Sequence, residues 1–195
     1  VCQSGSFILG NELKEFEQSF ASYCGCKYAV GVANGTDALF LVMKALGIGH
    51  GDEVITAPNS FLATAASVIA NGAKPVFADV RDDYNIDPNQ IEQVIMERTK
   101  AIIPVHLTGR PADMKAISAI AGKHDLFVIE DAAQAVGASY NGKRTGSFGI
   151  AGCFSFHPLK TLNAYGDGGA ITTNDAALYE KLIKMRNHGL KNRDE

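Results

Sequence analysis

Residues 111–131 read PADMKAISAIAGKHDLFVIED, and this stretch decides the architecture. Met114, Ile117 and Ile120 recur at three-residue spacing, the apolar face of a helix over residues 111–124. Residues 126–129 then form an apolar run of strand length. A strand without a polar face is buried on both sides, as in a parallel sheet covered by helices.

The same alternation extends in both directions. Upstream, apolar strands are expected at 28–32, 53–57, 75–78 and 101–105. Helices are expected between them over 11–24, 38–46 and 61–71, and from Pro88, where Ile91, Val94 and Ile95 supply the apolar face. Downstream, strands are expected at 153–156 and 169–173, then a helix through Leu178, Leu182 and Met185 capped by Asn174 or Asp175. Tyr140-Asn-Gly-Lys143 is a hairpin signal, and the glycines between Gly47 and Gly51 follow a helix, so they close it instead of opening a nucleotide-binding turn. Short strands alternating with longer helices imply right-handed crossovers and ligands at the strands' C-terminal ends.

Candidate chemistry collects at those ends. Lys160 follows the strand-stopping Pro158 with no other positive charge nearby in sequence. A free lysine has a pKa of about 10.4 and is protonated at neutral pH, whereas a desolvated neutral amine can form a Schiff base with an aldehyde such as that of pyridoxal phosphate, PLP. The alternative is an ordinary surface lysine. Asp131 stands just past the 126–129 run, after Glu130, where a carboxylate can pair with a pyridinium nitrogen or cap a helix. Gln134 shares its face if the segment is helical. Gly35 and Thr36 begin a helix whose first turn can bind phosphate, or Thr36 or Asp37 simply caps it. Phe61, after a strand, can stack on a planar ring or belong to the core. Ser155 alternates with Phe154 and Phe156, so its hydroxyl is a second phosphate donor or is bonded within the sheet. His157 is either a substrate contact or structural.

The chain as a whole narrows the class. Its 195 residues, 46% hydrophobic, suffice for one domain with a substantial core. With 18 Lys plus Arg against 21 Asp plus Glu, the formal charge is -3, and no basic run tracks a nucleic acid. Apolar runs are too short to span a membrane and no signal pattern opens the chain, so a cytoplasmic protein is expected. The four cysteines lack metal-site spacing, which favours reduced thiols and no metal.

Taken together, NGTDAL (34–39), GDEVITAP (51–58), PVHLTGRPADM (104–114), IEDAAQAVGA (129–138), FSFHPLK (154–160) and GDGGAITTND (166–175) resemble the DegT/DnrJ/EryC1/StrS sugar aminotransferases. The resemblance implies a three-layer α/β/α large domain of fold type I, with a seven-stranded mostly parallel sheet binding PLP. It makes Lys160 the covalent anchor and proton shuttle, Asp131 the partner of the pyridine nitrogen, Gln134 a neighbour of the ring and Phe61 its stacking partner. Gly35, Thr36 and Ser155 would hold the phosphate. Related dehydratases carry histidine in place of the lysine, so Lys160 favours transamination from an amino acid such as glutamate to a keto group of a nucleotide-linked hexose. The resemblance further implies a homodimer with shared active sites. It makes residues 1–195 the large domain, without the family's small C-terminal one. The rivals are a PLP enzyme acting on amino acids alone and an inactive or regulatory protein of this fold.

Overall fold

The computed structural model describes residues 1–3, 5 and 7–190. In chain order it runs α1 (Asn11–Cys24), β1 (Tyr28–Val32), α2 (Gly35–Ala45), β2 (Glu53–Thr56), α3 (Leu62–Ala70), β3 (Lys74–Phe77), α4 (Pro88–Gln93) and β4 (Thr99–Ile103). After a short 3-10 turn (Leu107–Gly109) come α5 (Met114–Lys123), β5 (Phe127–Asp131), the hairpin strands β6 (Ser139–Tyr140) and β7 (Lys143–Arg144), β8 (Ala151–Ser155), β9 (Gly169–Thr173) and α6 (Ala176–Met185).

Seven strands form one sheet in the order β1-β9-β8-β5-β4-β2-β3. Strands β3, β2, β4, β5 and β8 pair in parallel, while β9 runs antiparallel to both of its neighbours. The connection explains the reversal. Residues 156–168, between β8 and β9, contain no helix to carry the chain back across the sheet, and without a crossover the next strand returns antiparallel.

Pleating divides the core into two sides. Val30, Val54, Ile103, Ile129, Cys153 and Ile171 face the layer of α2, α3 and α6, where Val42, Val68 and Leu182 meet them. Ile55, Ile102 and Val128 face the opposite layer, against Ile91 of α4 and Met114 and Ile117 of α5. On that same side, at the β1 end, Phe20 of α1 packs edge-on against Phe154 and Phe156. The expected three layers are therefore present. Among the described residues no helix is long and apolar enough to cross a membrane.

Local signals set most helix starts. Asn34, Asp87, Asp113 and Asp175 each cap a helix with a side-chain oxygen that accepts a backbone N–H. Two expectations are corrected, and one condition is not met. Asp113 starts α5 three residues later than the apolar pattern implied. Helix α4 ends at Gln93, so Val94 and Ile95 pack on the core from the chain beyond it. Residues 132–137 form turns, not a helix, because Asp131 Oδ1 accepts the Ala133 N–H and commits the chain to a tight turn. The Asn141-Gly142 hairpin forms as expected, with both residues at positive φ.

All four cysteines are free. Burial pushes the Cys24 thiol up to about 12 and the Cys153 thiol well above the ordinary cysteine range, and raises Cys26 as well. Thiolates are the reactive form, so a thiol reagent at pH 8 is expected to modify exposed Cys2 rapidly and the other three only on unfolding. Rapid titration of more than a single thiol in the native protein would contradict that assignment.

Candidate functional site

A cavity of about 400 Å3 opens where the parallel strands end. Its wall includes Gly35, Thr36, Phe61, Asp131, Gln134, Ser155 and Lys160. All seven candidate residues thus come together although they span the chain from the second helix to the loop after β8.

The floor is Asp131, at the end of β5. It is only 6% exposed, and the pleat turns it toward α3, where Oδ2 accepts the Thr64 hydroxyl at 2.7 Å and Oδ1 accepts the Ala133 N–H at 3.2 Å. Burial raises its pKa, while those two hydrogen bonds and the nearby His106 and Lys160 pull it back. Sequence reasoning missed Thr64. The available signal was a hydroxyl one turn into the apolar helix LATAASVIA, where a buried polar side chain needs a partner.

One wall is the start of α2. Asn34, rather than Thr36 or Asp37, is the cap, accepting the Asp37 N–H at 2.8 Å. The Gly35 and Thr36 N–H groups have no carbonyl a turn below them, and among the described residues the Thr36 hydroxyl has no hydrogen-bond partner. The helix start is wedged against the sheet. A Cβ on Gly35 would lie 2.8 Å from Ser155 Cβ, and one on Gly169 would lie 2.5 Å from the Asn34 carbonyl carbon. Gly35→Ala is therefore expected to lose about 1–3 kcal/mol in urea unfolding, the usual cost of overpacking. An unchanged midpoint would mean the helix end can retreat freely.

Ser155 ends β8 facing this helix start, and its Oγ accepts the His157 N–H at 3.3 Å, which leaves the hydroxyl proton available. Lys160 sits half-buried in the following loop, its backbone N–H bonded to the His157 carbonyl and its carbonyl to Asn163. Among the described residues its ammonium has no carboxylate partner within ion-pair distance. His157 is exposed, and its Nδ1 accepts the Leu159 N–H, a role in shaping the loop. Phe61, just ahead of α3, is 71% exposed and lines the cavity instead of joining the core. Gln134 also lines it, with Oε1 tied to the Thr108 N–H at 2.8 Å, which leaves its amide group free to donate.

Such a set suits a planar, cationic ring bearing a phosphate. The buried carboxylate meets the ring's positive nitrogen, the bare helix start and two hydroxyls take the phosphate, an aromatic covers a face, and an amine stands within the cavity. No group of three or more metal-ligating side chains is present among the described residues.

The family model described as the DegT/DnrJ/EryC1/StrS aminotransferase family matches residues 1–195. A dTDP-3-amino-3,6-dideoxy-alpha-D-galactopyranose transaminase from Aneurinibacillus thermoaerophilus is 56% identical over 190 residues, covering 97% of this chain and 52% of that protein. A pleiotropic regulatory protein from Geobacillus stearothermophilus is 54% identical over 192 residues, 98% of this chain and 52% of that protein. A crystal structure of DesV from S. venezuelae in complex with a ketimine intermediate superposes with a TM-score of 0.97 at 46% identity, covering all of this chain and 53% of that one. The chain spans about half the length of the curated relatives it matches.

Proposed function

Because the chain belongs to the DegT/DnrJ/EryC1/StrS aminotransferase family, whose members depend on PLP, we propose that it is the cofactor-binding large domain of a sugar-nucleotide aminotransferase. The observation that carries this reading is that Lys160, Asp131 and the start of α2 line one cavity. In the reaction an amino acid such as glutamate leaves as its 2-oxo acid, and the keto carbon of a nucleotide-linked hexose gains the amine in place of its oxygen. No external oxidant is required.

When bound, PLP supplies an electron sink and carries the amino group between donor and acceptor. Lys160 would anchor it through Nζ, and the same atom takes and returns a proton. Asp131, as a carboxylate, would accept the ring N–H and keep that nitrogen protonated. Gly35 and Thr36, with Ser155, bind the phosphate. Phe61 covers one face of the ring, and Gln134 orients its edge through the amide that Thr108 leaves free. Leu159 and Tyr165 stand fully out in solvent near the lysine loop, which supports a homodimer that covers them and shares its sites. Four free thiols fit the reducing cytoplasm.

The test is the full-length protein supplied with PLP, glutamate and a panel of keto sugar nucleotides that differ in carbonyl position. Equal yields of amino sugar and 2-oxoglutarate are expected with at least one of them. Absence of turnover with every member would overturn the reading. The similarity to a pleiotropic regulatory protein favours a second reading, a regulator that kept the fold. Cofactor trapped on Lys160 by borohydride together with turnover would exclude it.

A further inference from the structure

Next to Asp131, and pointing to the other side of the sheet, lies a carboxylate to which the site chemistry gives no role. Glu130 is fully buried, and among the described residues each of its hydrogen bonds is to a donor. Oε2 accepts the Gly146 N–H at 2.7 Å and Oε1 accepts the N–H groups of Phe148 at 2.7 Å and Gly149 at 2.9 Å. The remaining donor is His106, whose Nε2 lies 3.0 Å from Oε2. The tautomer follows from the other ring nitrogen: Nδ1 accepts the Ala112 N–H at 3.1 Å, so the proton sits on Nε2 and is donated to Glu130.

These four bonds join the segments that flank the cavity. The 146–149 loop feeds directly into β8, which delivers Ser155 and then Lys160. His106 begins the turn that holds Gln134 through the Thr108 N–H, and its own N–H donates to the Asp131 carbonyl at 3.0 Å. That turn carries Thr108 at φ 54, a costly conformation for a threonine unless its surroundings impose it. Asn85 braces the turn from outside, accepting the Leu107 N–H and donating to the Arg110 and Pro111 carbonyls. Glu130 braces it from inside.

We propose that Glu130, acting through His106, is a positioning residue for the cofactor site: one buried carboxylate sets the relative placement of the strand bearing Asp131, the turn that holds Gln134 and the loop that leads to Ser155 and Lys160. This rests on the PLP reading above. It differs from a role in stability alone because it ties cofactor affinity to a side chain on the far side of the sheet from the cofactor.

Glu130→Gln in the full-length protein tests it. The substitution keeps shape and size but turns one acceptor oxygen into a donor. Whichever way the amide is placed, it faces at least one backbone N–H and leaves it unpaired. PLP affinity, read by absorbance titration, is expected to fall about tenfold or more, the equivalent of one buried donor left without a partner. Amide exchange at Thr108 and Gly149 in the apoprotein is expected to quicken together. Leu182→Ala, a void in the opposite layer, is the reference for lost stability and should keep the wild-type affinity.

His106 gives a second pair of variants that decides the matter if Glu130→Gln does not fold. His106→Gln can donate to Glu130 and accept from Ala112 as the imidazole does, and should bind PLP as the wild type does. His106→Leu can do neither and should lose affinity. Wild-type affinity in Glu130→Gln or His106→Leu, or an equal loss in Leu182→Ala, would overturn the positioning role. A wild-type protein that fails to take up PLP would instead sink the PLP reading itself.

Discussion

Replacing Lys160 by alanine is expected to abolish borohydride-stable cofactor labelling and to lower transamination on the order of 10⁴-fold or more, because in the proposed function a single amine serves as both anchor and proton carrier. The fold should not notice. Lys160 is half-buried in a loop, and among the described residues no carboxylate pairs with its ammonium, so the melting temperature should stay close to wild type. This separation between chemistry and stability is what the position implies. Activity within tenfold of wild type would remove the lysine from the mechanism, and a collapse in stability would recast it as structural.

The second large effect is expected from Asp131→Asn, and its two halves have opposite signs. Activity should fall about 10³-fold, the scale on which removal of one preorganised electrostatic partner is felt. The apoprotein, however, should not be destabilised at neutral pH. Burial raises the Asp131 pKa above its unfolded value, so the folded state holds this proton more tightly than the unfolded chain does. The group's stabilising contribution is complete below the ordinary aspartate range and is lost as pH rises through the folded value. Wild-type apoprotein should therefore lose stability relative to Asp131→Asn on going from acid to neutral pH. Melting curves of both proteins across that range check the sign. Relative stability moving the other way would mean that the bonds from Thr64 and Ala133, with the neighbouring His106 and Lys160, outweigh burial. Bound PLP should narrow the difference, since a ring cation opposite the carboxylate favours its charged form.

Much of this was legible in the residues. Apolar runs of strand length, separated by amphipathic helices, specified a parallel sheet between helical layers, and strand ends marked where ligands bind. What periodicity does not encode is direction, and β9 shows this: its five residues carry the same pattern either way round, and only the helix-free 156–168 link reveals the reversal. Asp131 could be identified because it closes a strand at the end where ligands collect. Glu130 breaks the apolar run one residue earlier, yet its meaning depends on N–H groups 16 to 19 residues away. Thr64 stayed hidden for a related reason: its partner is 67 residues distant. Whether the segment after β5 is helical was not legible, because one local bond, from the Ala133 N–H to Asp131, outweighs the helix propensity of an alanine-rich segment.

The position of β1 has a consequence for how the molecule is made. Among the described strands its one partner is β9, Val30 lying opposite Ile171, so the earliest of these seven sheet strands waits for the latest before it can pair. Until then, α1 has no completed sheet edge to settle on. The rest of the sheet can assemble in sequence during synthesis, but its closure is a late, long-range event. A nascent chain paused before residue 169 would carry an apolar arm in search of a partner, a natural point of engagement for a chaperone.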